Sequence, residues 1–137
     1  MSFKRIEKLS DAQIGQLVAL YQNEWWTRGR TLAGVRTMLA SSDVIVAFVE
    51  QGNRKLAAFS RVITDYTYKA LVLDVIVAPA HRGTGLGRML MEGILGHPRL
   101  RRVRHLELYC LPELLPFYRQ WGFTEELGEL KLLRRAK

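Results

Sequence analysis

The chain has 137 residues, of which 48% are hydrophobic and 25% charged, and its formal net charge is +8. This composition is typical of a globular protein with a real core, and we expect residues 1–137 to form a single domain. One cysteine, Cys110, excludes an internal disulfide and a multi-cysteine zinc site, so no metal is expected.

The start of the chain, MSFKRIEKLSD, is charged and lacks the apolar core of a signal peptide. No apolar run approaches the length of a membrane span. We therefore expect a cytoplasmic protein. Part of the positive charge lies in HPRLRRVRH, residues 97–105, which is either a solvated edge or a basic patch for nucleic acid. No aromatic residues that could stack on bases are interleaved with these arginines.

The first third of the chain predicts a strand followed by two helices. Residues 3–9 alternate enough for a short strand. Ser10 and Gln13 have the spacing of a capping box, and apolar residues follow at helical intervals. After the irregular segment NEWWTRGR, Thr31 is placed to cap a second helix.

The middle of the chain predicts an antiparallel meander. DVIVAFVE and KLAAFSRVI flank the turn residues QGN and indicate a hairpin. The turn TDYTYK then leads to a third apolar strand, ALVLDVIV, which Pro79 ends.

The remainder predicts a helix after a glycine-rich loop, the strand RHLELYC, and a helix over PELLPFYRQW with Gly122 as its cap. The tail from Phe123 can add one or two strands. The order β-α-α-β-β-β-α-β-α-β gives a mixed α/β fold, in which a mostly antiparallel sheet of six to seven strands is flanked by about four helices.

The loop Arg82-Gly83-Thr84-Gly85-Leu86-Gly87 lies between a strand end and a helix start. The first amides of a helix carry the positive end of its dipole, and missing side chains let an anion approach them closely. The loop therefore indicates a phosphate or pyrophosphate site, with a tight packing turn as the alternative. It matches neither the Walker pattern nor the dinucleotide fingerprint G-x-G-x-x-G.

Arg82-x-x-Gly85-x-Gly87, preceded by VIVAP, resembles the acyl-CoA loop of the GNAT superfamily of N-acetyltransferases. FYRQWGF, residues 117–123, resembles that family's final helix and the strand after it. The predicted element order agrees along nearly the whole chain. The resemblance implies an acyltransferase that uses acetyl-CoA and an amine acceptor, by direct transfer in a ternary complex.

In that family the strand before the loop binds the pantetheine arm and the loop binds the pyrophosphate. Carried over to this chain, the implied cofactor-binding residues are Val75, Ile76, Val77, Arg82, Gly83, Thr84, Gly85, Leu86, Gly87 and Arg88. The asparagine that many members have before the last helix is missing from CLPELLP, which leaves that one contact in doubt.

The resemblance also implies catalytic residues. Tyr118 matches the tyrosine that commonly protonates the departing thiolate, with a core aromatic as the alternative. A backbone N–H near Val77 would hold the oxyanion. Glu107 and Asp74 are both candidates for the general base, and each has a structural role as its alternative.

The acceptor is expected near NEWWTRGR and TDYTYK. Trp25, Trp26 and Tyr66 could form an aromatic pocket for an amine, and Arg28 with Arg30 could instead hold a carboxylate. Tryptophans that only cover the cofactor are the alternative. Two other functions stay open: an acyl-CoA sensor on the same fold, and a basic nucleic-acid-binding domain. A homodimer is compatible with the resemblance, and no membrane partner is expected.

Overall fold

A computed structural model describes residues 2–137 of the chain. The chain divides into two compact units, one that ends at Leu106 and one that spans Glu107–Lys137. The main elements are β1 (Phe3–Ile6), α1 (Asp11–Gln22), α2 (Leu32–Ala40), β2 (Val44–Glu50), β3 (Leu56–Thr64), β4 (Lys69–Val77), α3 (Leu86–Leu95), β5 (His105–Glu107) and α4 (Leu115–Arg119). Two short 3₁₀ turns, Pro79–His81 and Pro112–Leu114, precede α3 and α4.

The sheet has the strand order β1-β2-β3-β4-β5. The first four strands form the predicted antiparallel meander, in which Val44 pairs with Val62 and Ala47 with Phe59. The predicted hairpin around QGN is confirmed, because β2 ends at Glu50 and β3 begins at Leu56. The mixed α/β class is therefore confirmed.

Both predicted caps at the start of the first two helices are present. Ser10 Oγ accepts the Gln13 N–H at 3.2 Å, and the Gln13 side chain accepts the Ser10 N–H at 2.8 Å. Thr31 Oγ1 accepts the Gly34 N–H at 3.1 Å. Each cap satisfies a backbone donor that the helix itself leaves without a partner.

Helices cover both faces of the sheet. Leu17 and Tyr21 of α1 and Val35 of α2 share a buried cluster with Ala47 of β2 and Phe59 of β3. A Cβ added to Gly93 of α3 would lie 2.8 Å from Val46 Cγ1. Because Val46 and Ala47 point to opposite faces of β2, α3 packs on the face opposite α1 and α2.

The predicted count of six to seven strands is wrong, because residues 2–137 form a sheet of five strands. Residues 123–137, all of them described, contain no strand. A strand needs a neighbour for its backbone groups, and the leucines of this tail, such as Leu130 and Leu133, are exposed rather than packed. The interspersed cations of KLLRRAK also repel one another and do not give the alternation of a half-buried strand.

The last predicted helix is shorter than PELLPFYRQW. Residues 112–114 form a 3₁₀ turn, and α4 begins only at Leu115, so that Pro116 falls at the start of the helix, where its missing N–H costs least. The C-cap of α4 is Gln120 and not the predicted Gly122, because the helix already ends at Arg119. Gly122 follows in the turn after the helix with φ of +88°.

Candidate functional site

The loop Arg82–Gly87 joins the 3₁₀ turn after β4 to α3. Gly83 and Gly85 have φ of +79° and +86°, a left-handed conformation that other residues rarely adopt. A Cβ added to either glycine would meet no atom within 4 Å, so the loop is open on its outer side. The Thr84 hydroxyl donates to the His81 carbonyl and closes the loop from within.

Gly85 is the N-cap of α3, and no side chain caps that terminus. The first backbone hydrogen bond of α3 joins the Met89 N–H to the Gly85 carbonyl at 3.1 Å. The amides of Leu86 and Gly87 therefore precede the intrahelical ladder. This terminus combines exposed donors, the positive end of a helix dipole and open space, which are the requirements of an anion site.

Arg82 and Arg88 bracket the loop with positive charge. Arg82 Nη2 contacts Glu24 Oε1 at 2.7 Å, and its Nε contacts the Val77 carbonyl at 3.4 Å. Arg88 pairs with Glu92 one turn farther along α3 at 3.5 Å. The Glu24 contact joins the loop to the segment between α1 and α2, a link that the sequence did not reveal.

β4 contains a bulge directly before the predicted pantetheine-binding residues. Arg61 pairs with Leu73 and Phe59 with Ile76, so one extra residue lies on β4 between these pairs. Asp74, within the bulge, has φ of +55°. Asp is among the few residue types that tolerate this conformation.

The edge of β4 that faces away from β3 is where the resemblance predicts the pantetheine arm. The Ala78 N–H donates to the Ala57 carbonyl on β3 at 2.8 Å. Because alternate residues of an antiparallel strand direct their N–H groups to opposite edges, the Val77 N–H points away from β3. β5 lies beside the start of β4, where the His105 N–H donates to the Tyr68 carbonyl, and its three residues are too few to reach Val77.

Asp74 is the centre of a buried cluster of charged and polar side chains. Its carboxylate, 5% exposed, contacts Arg30 Nη1 at 2.7 Å and Arg61 Nε at 2.8 Å. The Tyr21 hydroxyl donates to the same carboxylate at 3.0 Å. The cluster ties the bulge of β4 to β3, to α1 and to the start of α2.

The ionisation states of this cluster follow from its contacts. Burial alone would raise the pKa of Asp74, but hydrogen bonds from Arg30 and Arg61 hold that pKa below its ordinary value. Burial, and after it the Asp74 carboxylate, raises the pKa of Tyr21 well above its ordinary value. Asp74 is therefore anionic and Tyr21 neutral at pH 7. A carboxylate held in this way favours an anchoring role over that of a proton acceptor.

Tyr118 lies in α4, within the second unit, and is buried. Its ring makes edge contacts with Phe117 and Phe123, at centroid distances of 5.0 and 6.1 Å. Burial, and after it Cys110, raises the pKa of Tyr118 to about 12. The phenol is therefore protonated at neutral pH.

Burial also raises the pKa of the Cys110 thiol, and the nearby carboxylates of Glu125 and Glu113 raise it further. A thiol with a raised pKa is disfavoured as a nucleophile, because the thiolate is the reactive form.

The other predicted base, Glu107, is the exposed last residue of β5. Exposure alternates along this segment, since Leu106 and Leu108 are half-buried while His105, Glu107 and Tyr109 are exposed. Glu107 thus lies on the solvent-exposed side of the strand.

The predicted acceptor residues are not gathered into one pocket. Trp25 and Trp26 are 70% and 39% exposed. Arg28 is exposed and contacts the Gln22 carbonyl at 3.3 Å. Tyr66 donates to the Asp43 carbonyl, and its ring lies under Arg99, so among the described residues no hydrogen bond or ring contact joins it to the tryptophans.

Sequence reasoning missed Arg61 and Tyr21. The available signal was one charged residue inside each of two neighbouring apolar strands, Arg61 in LAAFSRVI and Asp74 in ALVLDVIV. Antiparallel pairing of these strands brings the two charges to adjacent positions.

Residues 2–137 contain no group of three or more His, Cys, Asp or Glu side chains placed to hold a metal ion. No helix within this range has both the length and the apolar character needed to cross a membrane.

A family model described as an acetyltransferase (GNAT) domain matches residues 40–125. "Uncharacterized N-acetyltransferase ycf52" of Gracilaria tenuistipitata var. liui is 32% identical over 133 residues, 96% of this chain and 70% of that protein. "Serotonin N-acetyltransferase 2, chloroplastic" of Oryza sativa subsp. japonica is 41% identical over 67 residues, 49% of this chain and 34% of that protein. A solved Xanthomonas campestris pv. campestris structure, described as belonging to the GNAT family, has a TM-score of 0.86 at 29% identity and covers 100% of this chain and 94% of its own.

Proposed function

Because this chain belongs to the GNAT family of acetyltransferases, we propose that it moves an acetyl group from acetyl-CoA to a primary amine in a ternary complex. The family makes the protein an acyltransferase, and the acetyl donor, the amine and the direct transfer are parts of the proposal. The observation that carries it is the open, glycine-lined start of α3 directly after the bulged strand β4.

The loop fits the pyrophosphate of a CoA thioester. Left-handed Gly83 and Gly85 leave the amides at the start of α3 unobstructed, and Arg82 supplies a cation beside them. The edge of β4 at Val75–Val77 offers backbone groups to the amide-rich pantetheine arm, in the manner of an added strand. The thioester supplies an activated acyl group, and the residues of this chain hold and polarise it.

The negative charge that develops on the acyl oxygen during amine attack needs a donor. The Val77 N–H points away from β3 and is our candidate for that donor. A fixed backbone donor is effective because it requires no reorganisation during the reaction.

We assign Tyr118 as the acid that protonates the departing thiolate. Its pKa of about 12 keeps the phenol protonated throughout the physiological range. For the proton of the amine we propose Glu107, because it is exposed on β5. Asp74 is buried and contacts two arginines and Tyr21. Asp74 is then a positioning residue that fixes the bulge before Val75.

The cytoplasmic location and the homodimer stay predictions. Serotonin is the acceptor named for the rice relative, whose match covers about half of this chain. It belongs in any panel of amines tested here.

Substitution of Tyr118 tests the enzyme against the alternative of an acyl-CoA sensor. We expect Tyr118→Phe to lower kcat by about a hundredfold, the usual contribution of a general acid, and to leave acetyl-CoA affinity unchanged. The assay is release of the CoA thiol with a panel of amines that includes serotonin, alongside calorimetric titration with acetyl-CoA. Tyr109→Phe, at an exposed tyrosine, is the control and should keep wild-type turnover.

A wild-type protein that binds acetyl-CoA tightly and releases no CoA with any amine would favour the sensor. Equal turnover of the Tyr118→Phe and Tyr109→Phe variants would remove Tyr118 from the mechanism.

A further inference from the structure

A cleft of about 350 Å³ lies beside the Asp74 cluster, within the first unit. Its polar wall consists of Arg30, Arg61 and Thr31, and its apolar wall includes Val35 and Met38 of α2. Gly29 and Gly34 contribute no side chains and leave the cleft open. No carboxylate is among the described residues that line it.

The cluster that forms the polar wall carries one net positive charge. Arg30 and Arg61 are cations, and Asp74 supplies the single anion that contacts them among residues 2–137. Tyr21, the remaining member, is neutral. Half-buried positive charge without a matching anion is costly, and structures usually pair it with a ligand or a counter-ion.

Arg61 holds that unmatched charge. Its side chain is 11% exposed, and only its Nε contacts Asp74. Neither terminal nitrogen of Arg61 has an acceptor among the described residues. Among the described residues, every fully buried side-chain nitrogen or oxygen has a hydrogen-bond partner. The two terminal nitrogens have none, so they are not fully buried, and they reach the open space of the cleft that Arg61 lines. Their paired N–H groups form the planar edge that binds a carboxylate through two parallel hydrogen bonds.

We propose that this cleft binds the carboxylate of the acceptor, so that the acceptor is a molecule that carries both an amine and a carboxylate. The inference rests on the proposed function, because it concerns the acceptor of that reaction. A carboxylate fits better than a phosphate, since its single negative charge balances the single unmatched positive charge of the cluster.

The position of the cleft agrees with such an acceptor. Asp74, which holds both arginines, is three residues before Val77, our candidate donor for the acyl oxygen. Three residues of strand extend over roughly 10 Å. The cluster lies on the face of the sheet that α1 and α2 cover, because Asp74 contacts Tyr21 of α1. A small amino acid with a terminal amine is of the length that this spacing along β4 requires.

Matched amines test the proposal. 4-Aminobutyrate and 6-aminohexanoate differ from butylamine and hexylamine only by the carboxylate. With saturating acetyl-CoA, we expect kcat/KM for the better amino acid to exceed that of its matched amine by about tenfold to a hundredfold, the value of a charge-assisted pair. The amino acids, and not the plain amines, should also raise the melting temperature at constant ionic strength.

Substitution at Arg61 assigns the effect to the cleft. Arg61→Lys keeps a cation for Asp74 and removes the planar edge, so the preference for the amino acid should fall to less than about threefold. Arg36→Lys is the control, because Arg36 is exposed and pairs with Asp11 at 3.1 Å. If Arg61→Lys fails to fold, Met38→Glu, which places a carboxylate at the cleft, should abolish the same preference.

The outcomes separate this inference from the proposed function. CoA release that is equal or faster with the plain amines, or a preference that survives both Arg61→Lys and Met38→Glu, overturns the carboxylate site and leaves the acetyltransferase proposal intact. Absence of acetyl-CoA binding contradicts the proposed function itself. Stabilisation by 6-aminohexanoate that is lost in Arg61→Lys supports the site even where turnover is slow.

Discussion

Two positively charged regions of the molecule lie close together in the sequence: the cluster around Asp74 and the loop Arg82–Gly87. The loop presents its positive charge with backbone amides and the start of α3, which glycines leave uncovered. The cluster does so with side chains from α1, β3, β4 and the residue that precedes the cap of α2. One is local in sequence, and the other joins Asp74 to residues 13, 44 and 53 positions away.

This difference separates the binding of acetyl-CoA, which we assign to the loop, from the stability that the cluster gives to β4. An open loop of glycines contributes little packing, so changes there should affect the ligand more than the fold. A buried network of charges supports the bulge of β4, so changes there should affect the fold first. The predictions below test this division.

The largest expected effect is that of Asp74→Asn on stability. This change leaves two partly buried guanidinium groups without their anion, and breaking such a network costs about 3 to 5 kcal/mol. The free energy of unfolding in urea measures it. Asp11→Asn is the control, because its ion pair with Arg36 is exposed and should be worth less than about 1 kcal/mol.

The same comparison has a defined pH dependence. Because the folded pKa of Asp74 is depressed, its contribution is complete above the unfolded value of about 3.9 and is lost as the pH falls through the lower folded pKa. The difference in free energy of unfolding between wild type and Asp74→Asn should therefore stay constant from about pH 5 to 7. Below about pH 4 this difference should become smaller. A gap that stays constant below about pH 3 would place the stabilisation in packing rather than charge.

The next effect is that of Gly85→Leu on acetyl-CoA affinity. A side chain at this position fills the open space over the α3 amides, and the loss of one or two charge-assisted hydrogen bonds weakens binding by about a hundredfold. Calorimetric titration measures the change in Kd. Gly128→Leu carries a similar conformational cost, because Gly128 also has a positive φ and open surroundings, and should bind acetyl-CoA as wild type does. Equal weakening in both variants would remove the loop from the cofactor site.

The smallest effect concerns the ion pair between Glu24 and Arg82. Glu24→Gln frees the Arg82 cation and removes a nearby negative charge, so acetyl-CoA affinity should improve by about twofold to fivefold. The improvement should shrink in high salt because Arg82 is exposed. Glu125→Gln removes the same charge from an exposed ion pair with Arg119 and should leave the affinity unchanged.

The sequence predicted the features that depend on neighbouring residues. The capping box of Ser10 and Gln13, the hairpin around QGN and the glycine loop before α3 are all local, and each is present. The cluster depends on strand register instead. A bulge at Asp74 decides which side chains face Arg61, and no local pattern specifies a bulge. The missing tail strand has a similar cause, because a strand requires a partner edge that the tail's own residues do not encode.

The central claim is that this chain binds a CoA thioester at the start of α3, and thermal unfolding with and without acetyl-CoA tests it most directly. A ligand at a hundred times its Kd adds about 2.7 kcal/mol to stability, which a melting curve resolves easily. We predict a clear rise in melting temperature with acetyl-CoA and none with ATP or NAD at equal concentration. No rise with acetyl-CoA, or an equal rise with either nucleotide, would contradict the account.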